Sequence, residues 1–182
     1  MAGNNGKKIL DLGCGNRKRE GAVGVDINTK TNPDIVHDLN KLPYPFQTST
    51  FEEIYMDNVI EHLEDVIKVV EELHRIGAPN GLVKIDVPYF RAHWAFIDPT
   101  HKHFFTTQSF SYFDPKHVHS KLFPYSNAAF SVEKVVFNEK IQTRGFRGLM
   151  KRFANRYPNF YEHYIGALFP MDELSFYLRI IK

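Results

Sequence analysis

Two groups of residues in this sequence have the types and spacing to do chemistry. The first is Asp11, Gly13, Cys14, Gly15 and Arg17, followed by Asp26. Gly13 and Gly15 carry no Cβ, so a turn there lets backbone approach a ligand closely. Asp26 closes an apolar run, and a carboxylate at a strand tip accepts two hydrogen bonds from ribose hydroxyls. A glycine turn beside an acid on the neighbouring strand tip is how open α/β sheets hold an adenosine. A dinucleotide fingerprint would require its third glycine where Lys18 stands, so a nicotinamide cofactor is a poor fit.

The second group is histidine-rich. Five of the nine histidines lie between His93 and His119. His93 and His101 are the candidates for a catalytic base or substrate contact, since imidazole changes charge near neutral pH. His93, Asp98, His101 and His103 include donor types that suit zinc or iron, but their spacing matches no zinc signature and no metal is expected. A metal-dependent enzyme built on residues 93–103 stands as an alternative. His62 reads as packing or hydrogen bonding beside the nucleoside. Cys14 reads as packing within the turn.

These residues need strands and turns to position them. Residues 9–12 and 22–27 read as parallel strands, apolar on both faces. A short strand follows at 35–37. Residues 42–50 carry two prolines and cannot be a helix. Residues 51–57 read as a fourth strand and 82–87 as a fifth. Between them Leu63, Val66, Ile67, Val70, Leu73 and Ile76 form a helical apolar stripe. Residues 130–140 and 174–181 alternate as strands. A helical segment, 144–157, carries Phe146, Leu149, Met150, Phe153 and Tyr157 on one side, with Arg147, Lys151, Arg152 and Arg156 on the others. That basic side reads as a solvated surface.

A parallel crossover needs a dozen or more residues, usually with a helix. The connections after Gly15, after Ile27 and through the prolines are too short for one. One sheet face then needs other cover, either from the helix at 144–157 folding back or from a symmetric dimer. Twelve aromatic residues crowd into 89–130, as a packed cap or an apolar pocket wall. Within it, Trp94, Phe104 or Phe105 is expected to line an acceptor pocket, and Thr107 to cap a short helix through Phe113.

The chain has 182 residues and a formal net charge of +2. That length suits one domain, 1–182, and the small charge does not favour nucleic acid. The single cysteine rules out an internal disulfide and suggests a cytoplasmic, reducing compartment. No stretch resembles a membrane span. Residues 1–6 are small and polar and are expected to fray.

The stretch from Asp11 to Arg17 resembles the first motif of class I S-adenosylmethionine-dependent methyltransferases. Residues 42–46, 51–54 and 61–65 follow in the order and spacing of that family's small-molecule branch, so the resemblance covers 7–88. It implies a Rossmann-like, mostly parallel seven-stranded sheet of order 3-2-1-4-5-7-6. Here the crossover helices are reduced, residues 88–130 form the cap, and residues 144–170 are a helical insertion before the last strand. It also implies S-adenosylmethionine as cofactor, with Asp26 on the ribose, Asp38 and Leu39 by the adenine, Gly13 and Gly15 under the methionine part, and Asp11, Cys14 and Ile27 among the binding residues. Arg17 replaces the usual third glycine and offers a cation to the methionine carboxylate. Asn58 falls where a residue after the fourth strand meets the methionine amine or the methyl group. The sequence there lacks the Asn/Asp-Pro-Pro-aromatic run of nucleobase amino methyltransferases. The implied reaction is methyl transfer to a small or medium acceptor at oxygen, by a monomer or homodimer. A non-catalytic S-adenosylmethionine-binding module acting through a partner is the other alternative.

Overall fold

The computed structural model describes residues 8–182; the fraying expected of residues 1–6 lies outside them. Seven strands form one sheet: β1 (Ile9–Leu12), β2 (Ala22–Asp26), β3 (Ile35–Val36), β4 (Phe51–Asp57), β5 (Gly77–Pro88), β6 (Ala129–Phe137) and β7 (Glu173–Ile181). Their order is β3-β2-β1-β4-β5-β7-β6. The first five are parallel, and β7 runs antiparallel to both β5 and β6. This is the expected Rossmann-like methyltransferase sheet, and its strand tips gather Gly13, Asp26, Asn58 and Pro88 along one edge.

Helix α1 (Val66–Ile76) starts where the Asp65 carboxylate accepts the Lys68 N–H and turns into β5 at Gly77 without a loop. Residues 78–81 bulge within β5, with Asn80 in the left-handed region. The cap contains short helices α2 (Trp94–Ile97) and α3 (Val118–Leu122), plus a 3-10 turn, Ser109–Phe113. Thr107 does not cap that turn. Gln108 occupies the position and makes no capping bond with its side chain, while Thr107 N–H donates to Glu162. The insertion holds α4 (Gly145–Arg156), followed by Pro158–Phe160 and a π-helical turn, Tyr161–Ile165.

The two sheet faces differ in chemistry. Leu10, Leu12, Val25, Ile54, Met56, Val83, Ile85, Phe176 and Leu178 point to one face and are fully buried. They share a hydrophobic cluster with Val70, Leu73 and Ile76 of α1, with Tyr44, and with Phe105, Phe110 and Phe113 of the cap. Ring contacts tie that cap down: Phe110 meets Phe176 edge-on at 4.7 Å.

The opposite face was expected to be apolar and is not. Register places Asp11, Tyr55, Lys84, Tyr177 and Lys134 side by side across five strands. Lys84 pairs with Glu139, and the Arg19 guanidinium lies 3.9 Å from the centre of the Tyr55 ring. Among the described residues, 13–21 and 37–50 contain no helix, and 27–34 contain only the 3-10 turn Thr29–Thr31. The strands therefore alternate, with their polar side toward water, and need no aliphatic cover there. Helix α4 packs at the far edge of the sheet instead. Its Asn155 accepts the Phe137 N–H and donates to the Phe137 carbonyl, occupying the free edge of β6.

Candidate active site

Three clefts open along the strand tips and meet at Asn58, which lines all of them. Asn58 follows β4 in the left-handed region, a conformation asparagine tolerates. Its N–H donates to the Asp86 carbonyl and its amide to Asp57, so both backbone and side chain are held.

The first cleft, of about 360 Å3, is lined by Gly13, Asp26, Ile27, His37, Asp38, Leu39, Asn58 and His62 among others. The Asp26 carboxylate accepts the Gly15 and Asn28 N–H groups, each at 2.8 Å. Each oxygen keeps lone-pair capacity for a further donor. Ile27 is 65% exposed beside it, an aliphatic surface open to the cleft.

The second cleft, of about 550 Å3, is lined by Asp11, Gly13, Cys14, Gly15, Asn16, Arg17, Arg19, Asp57, Asn58 and Lys140. Gly13 has φ +69° and leaves 2.3 Å between an added Cβ and Val59 Cγ2, so only glycine fits. Buried Asp11 accepts the Arg19 N–H; burial pushes its carboxyl up. Burial likewise raises the Cys14 thiol, keeping it a packing residue. Lys140 was not foreseen. Its ammonium lies 2.5 Å from an Asp57 oxygen and 2.8 Å from an Asp86 oxygen. Burial works against its charge, and the two carboxylates more than offset that. Arg17, Arg19 and Lys140 thus bring three cations to one cleft.

The third cleft, of about 460 Å3, is lined by Asn58, Glu61, His62, Trp94, Ile97, Asp98, His101 and Glu173 among others. Glu61 sits in the 3-10 turn Ile60–His62 and is 1% exposed; among the described residues neither of its oxygens has a partner. Burial pushes its carboxyl up to about 7. The His62 and His101 rings meet edge-on at 4.7 Å. Burial, then the neighbouring His101, lowers the His62 pKa and favours the neutral ring.

The structure thus brings Asp11, Gly13, Cys14, Gly15, Arg17, Asp26, Ile27, Asp38, Leu39, Asn58 and His101 to adjoining clefts. It does not bring His93 there. That residue is exposed and lines a separate cleft with Phe146, Arg147 and Leu168. His103 bonds the Leu63 carbonyl. Of the three aromatics expected at an acceptor wall, Trp94 lines the third cleft. Phe105 is buried in the core, and Phe104 stacks on Phe96 outside that cleft. Glu61 and Lys140 carried no distinct sequence signal. Glu61 lies beside His62 in the strand-to-helix connection, and Lys140 arrives from beyond β6.

Residues 10–85 match the family model for a methyltransferase domain. No match was found among curated proteins. Solved structures match over nearly the whole chain at low identity. A SAM-dependent methyltransferase from Archaeoglobus fulgidus is 16% identical, with TM-score 0.54, covering 96% of this chain and 86% of that one. An S-adenosylmethionine-dependent methyltransferase from Mesorhizobium loti is 17% identical, with TM-score 0.55 and coverage of 98% and 93%. A Haemonchus contortus phosphoethanolamine N-methyltransferase 2, in complex with phosphomonomethylethanolamine and S-adenosylhomocysteine, is 14% identical. It has TM-score 0.60 and coverage of 97% and 49%. A β-sheet of this order with a glycine turn and a strand-tip acid defines a class I methyltransferase fold. Residues 10–85 thus match a methyltransferase domain, and the sheet around them has the class I methyltransferase fold. Among the described residues, no helix is long and apolar enough to cross a membrane.

Proposed function

We propose that the chain transfers the methyl group of S-adenosylmethionine to an oxygen of a small cytoplasmic acceptor. The observation that carries this reading is the meeting of three clefts at Asn58. In it, the adenosine occupies the first cleft, with Asp26 on the ribose and Ile27, Asp38 and Leu39 around the ribose and adenine. The methionine lies over Gly13, Cys14 and Gly15, near Asp11, with Arg17 toward its carboxylate; Lys140 and Arg19 supplement that charge. The sulfonium then stands at Asn58, at the entrance to the third cleft.

A sulfonium is already an activated leaving group, so holding the acceptor in line with the methyl supplies most of the rate. The 88–130 cap provides the wall through Trp94 and Ile97. A hydroxyl acceptor also loses a proton, and the His62–His101 pair with Glu61 lies where that proton would go. The third cleft has the buried polar groups that a hydroxyl-bearing molecule would engage.

The test is calorimetric binding of S-adenosylhomocysteine, followed by methyl transfer from labelled cofactor to a panel of phenols, carboxylates and amines. Saturable binding with transfer to oxygen acceptors supports the reading. Binding with no transfer to any acceptor, or transfer confined to amines, overturns it.

A further inference from the structure

The third cleft holds an arrangement that methyl transfer alone does not require. The Thr100 hydroxyl is the key to it. That hydroxyl donates to Asp98 Oδ1 at 2.7 Å, so its only hydrogen is committed. It lies 2.9 Å from His62 Nδ1, and so accepts from it. The Nδ1 of His101 lies 3.0 Å from the Ala95 carbonyl, which can only accept. In their neutral form both imidazoles therefore carry the proton on Nδ1 and a lone pair on Nε2. A hydroxyl or carbonyl fixing the Nδ1 proton is the outer support that metal-binding histidines usually have.

Beside these rings lies Glu61, buried, lining the same cleft and without a partner for either oxygen among the described residues. A buried carboxylate with no cation or donor is costly. One ligating atom from each of Glu61, His62 and His101 lies within 4.8 Å of the others. Ligands at ~2.1 Å from a shared tetrahedral ion stand about 3.4 Å apart, so side-chain movements of up to about an ångström close the set. Two neutral imidazoles and one carboxylate suit zinc or ferrous iron and leave coordination positions open.

We propose that Glu61, His62 and His101 bind a divalent transition-metal ion at the floor of the third cleft. The ion's open positions face Trp94 and Asn58, and the matching ligand class is an anionic oxygen. This set shares only His101 with the 93–103 segment whose spacing argued against a metal. Only the use of the open positions for the acceptor rests on the methyl-transfer reading; metal binding itself does not.

The experiment uses the full, tag-free chain, stripped with chelator and titrated with Zn2+ by calorimetry and with Co2+ by visible absorption. One ion per chain is expected, with Co2+ bands free of thiolate charge transfer. His101→Ala and Glu61→Gln should each abolish saturable binding. Thr100→Ala, which only orients His62, should weaken it about ten- to a hundredfold. Melting curves and S-adenosylhomocysteine binding check that each variant folds, and the half-exposed His101 keeps the test intact if Glu61→Gln does not. Absence of saturable Zn2+ binding, or unchanged binding in His101→Ala, overturns the proposal. Cofactor binding without metal binding sinks this inference alone, and metal binding without cofactor binding sinks the methyl-transfer reading alone.

Discussion

Replacing Asp26 tests the nucleoside site most directly, because its carboxylate has two separable jobs. In the free protein it accepts the Gly15 and Asn28 N–H groups, each at 2.8 Å, and so closes the glycine turn onto the tip of β2. With ligand bound it is expected also to accept from the ribose hydroxyls. A hydrogen bond to a charged group contributes ~1.5–3 kcal/mol. At this half-buried position water replaces part of what Asp26→Ala removes, so the stability loss should be about 1–2 kcal/mol. For a protein of this size that lowers Tm by roughly 2–8 °C. Loss of the ribose contact should weaken binding by roughly ten- to a hundredfold. Asp26→Asn keeps one accepting oxygen but turns an NH2 toward a donor, so it should fall between wild type and alanine. The assay is calorimetry with S-adenosylhomocysteine and with adenosine, alongside melting curves. Both ligands contain the ribose, so both should lose affinity by the same factor. Unchanged affinity in Asp26→Ala refutes the assignment, as does a loss confined to S-adenosylhomocysteine.

Three further perturbations probe other parts of the molecule. Gly13→Ala adds a Cβ in the left-handed region, worth ~1–2 kcal/mol, and drives it into Val59, whereas a Cβ at Gly15 meets no described atom within 4 Å. Melting and cofactor titration should therefore show Gly13→Ala as the more damaging of the two. Glu72→Ala removes the buried partner of Arg75 and the acceptor of the Tyr44 N–H, and chemical denaturation should register a loss of about 3 kcal/mol. A loss under 1 kcal/mol, roughly that of an exposed pair, would contradict the burial seen here. Burial pushes the Glu139 carboxyl up, but Lys84 and Tyr177 more than offset this and hold it below its usual range. A depressed carboxyl stabilises the fold above its unfolded pKa, and that contribution fades as pH falls through the folded value. Glu139→Gln should accordingly be less stable than wild type at pH 7, with the gap closing below about pH 4. A gap that persists at pH 3 would point to packing instead of charge.

The sheet was legible because its punctuation is local. Gly13, Gly15, Pro33, the prolines at 43 and 45, and Pro88 each end or exclude an element by their own backbone chemistry. Asp26 was legible for the same reason, as an acid at the end of an apolar run. The open face was misread because β1 and β2 are too short to display alternation. Asp11 looked like part of the turn motif, while its partners Tyr55, Lys84 and Tyr177 are distant in sequence and join it only through register. His93 and His101 are equivalent in composition, and no local rule says which side of a four-residue helix faces a cleft. The same holds for Phe104 and Phe105, adjacent residues on opposite sides of the chain. Lys140 belongs to a site whose other residues are far earlier in the chain, so pairing it with Asp57 and Asp86 required the folded register.

The short connections between the first three strands also bear on how the molecule divides energetically. Strands β5 and β7 are each paired on both sides, with a cap on one face and ion pairs on the other. Strand β3 has two residues, and the polar side of β2 is met by the 13–21 loop, where Lys18 crosses Gly24 to reach Asp34. Proteins open locally where buried apolar contact is least, so the β2–β3 margin is the part that separates first. That margin carries Asp26 and leads into Asp38. A ligand bound only by the closed form adds RT ln(1 + [L]/Kd), about 2.7 kcal/mol at a hundred times Kd. The nucleoside then acts as a missing structural member, closing the half of the sheet that the chain left without helices.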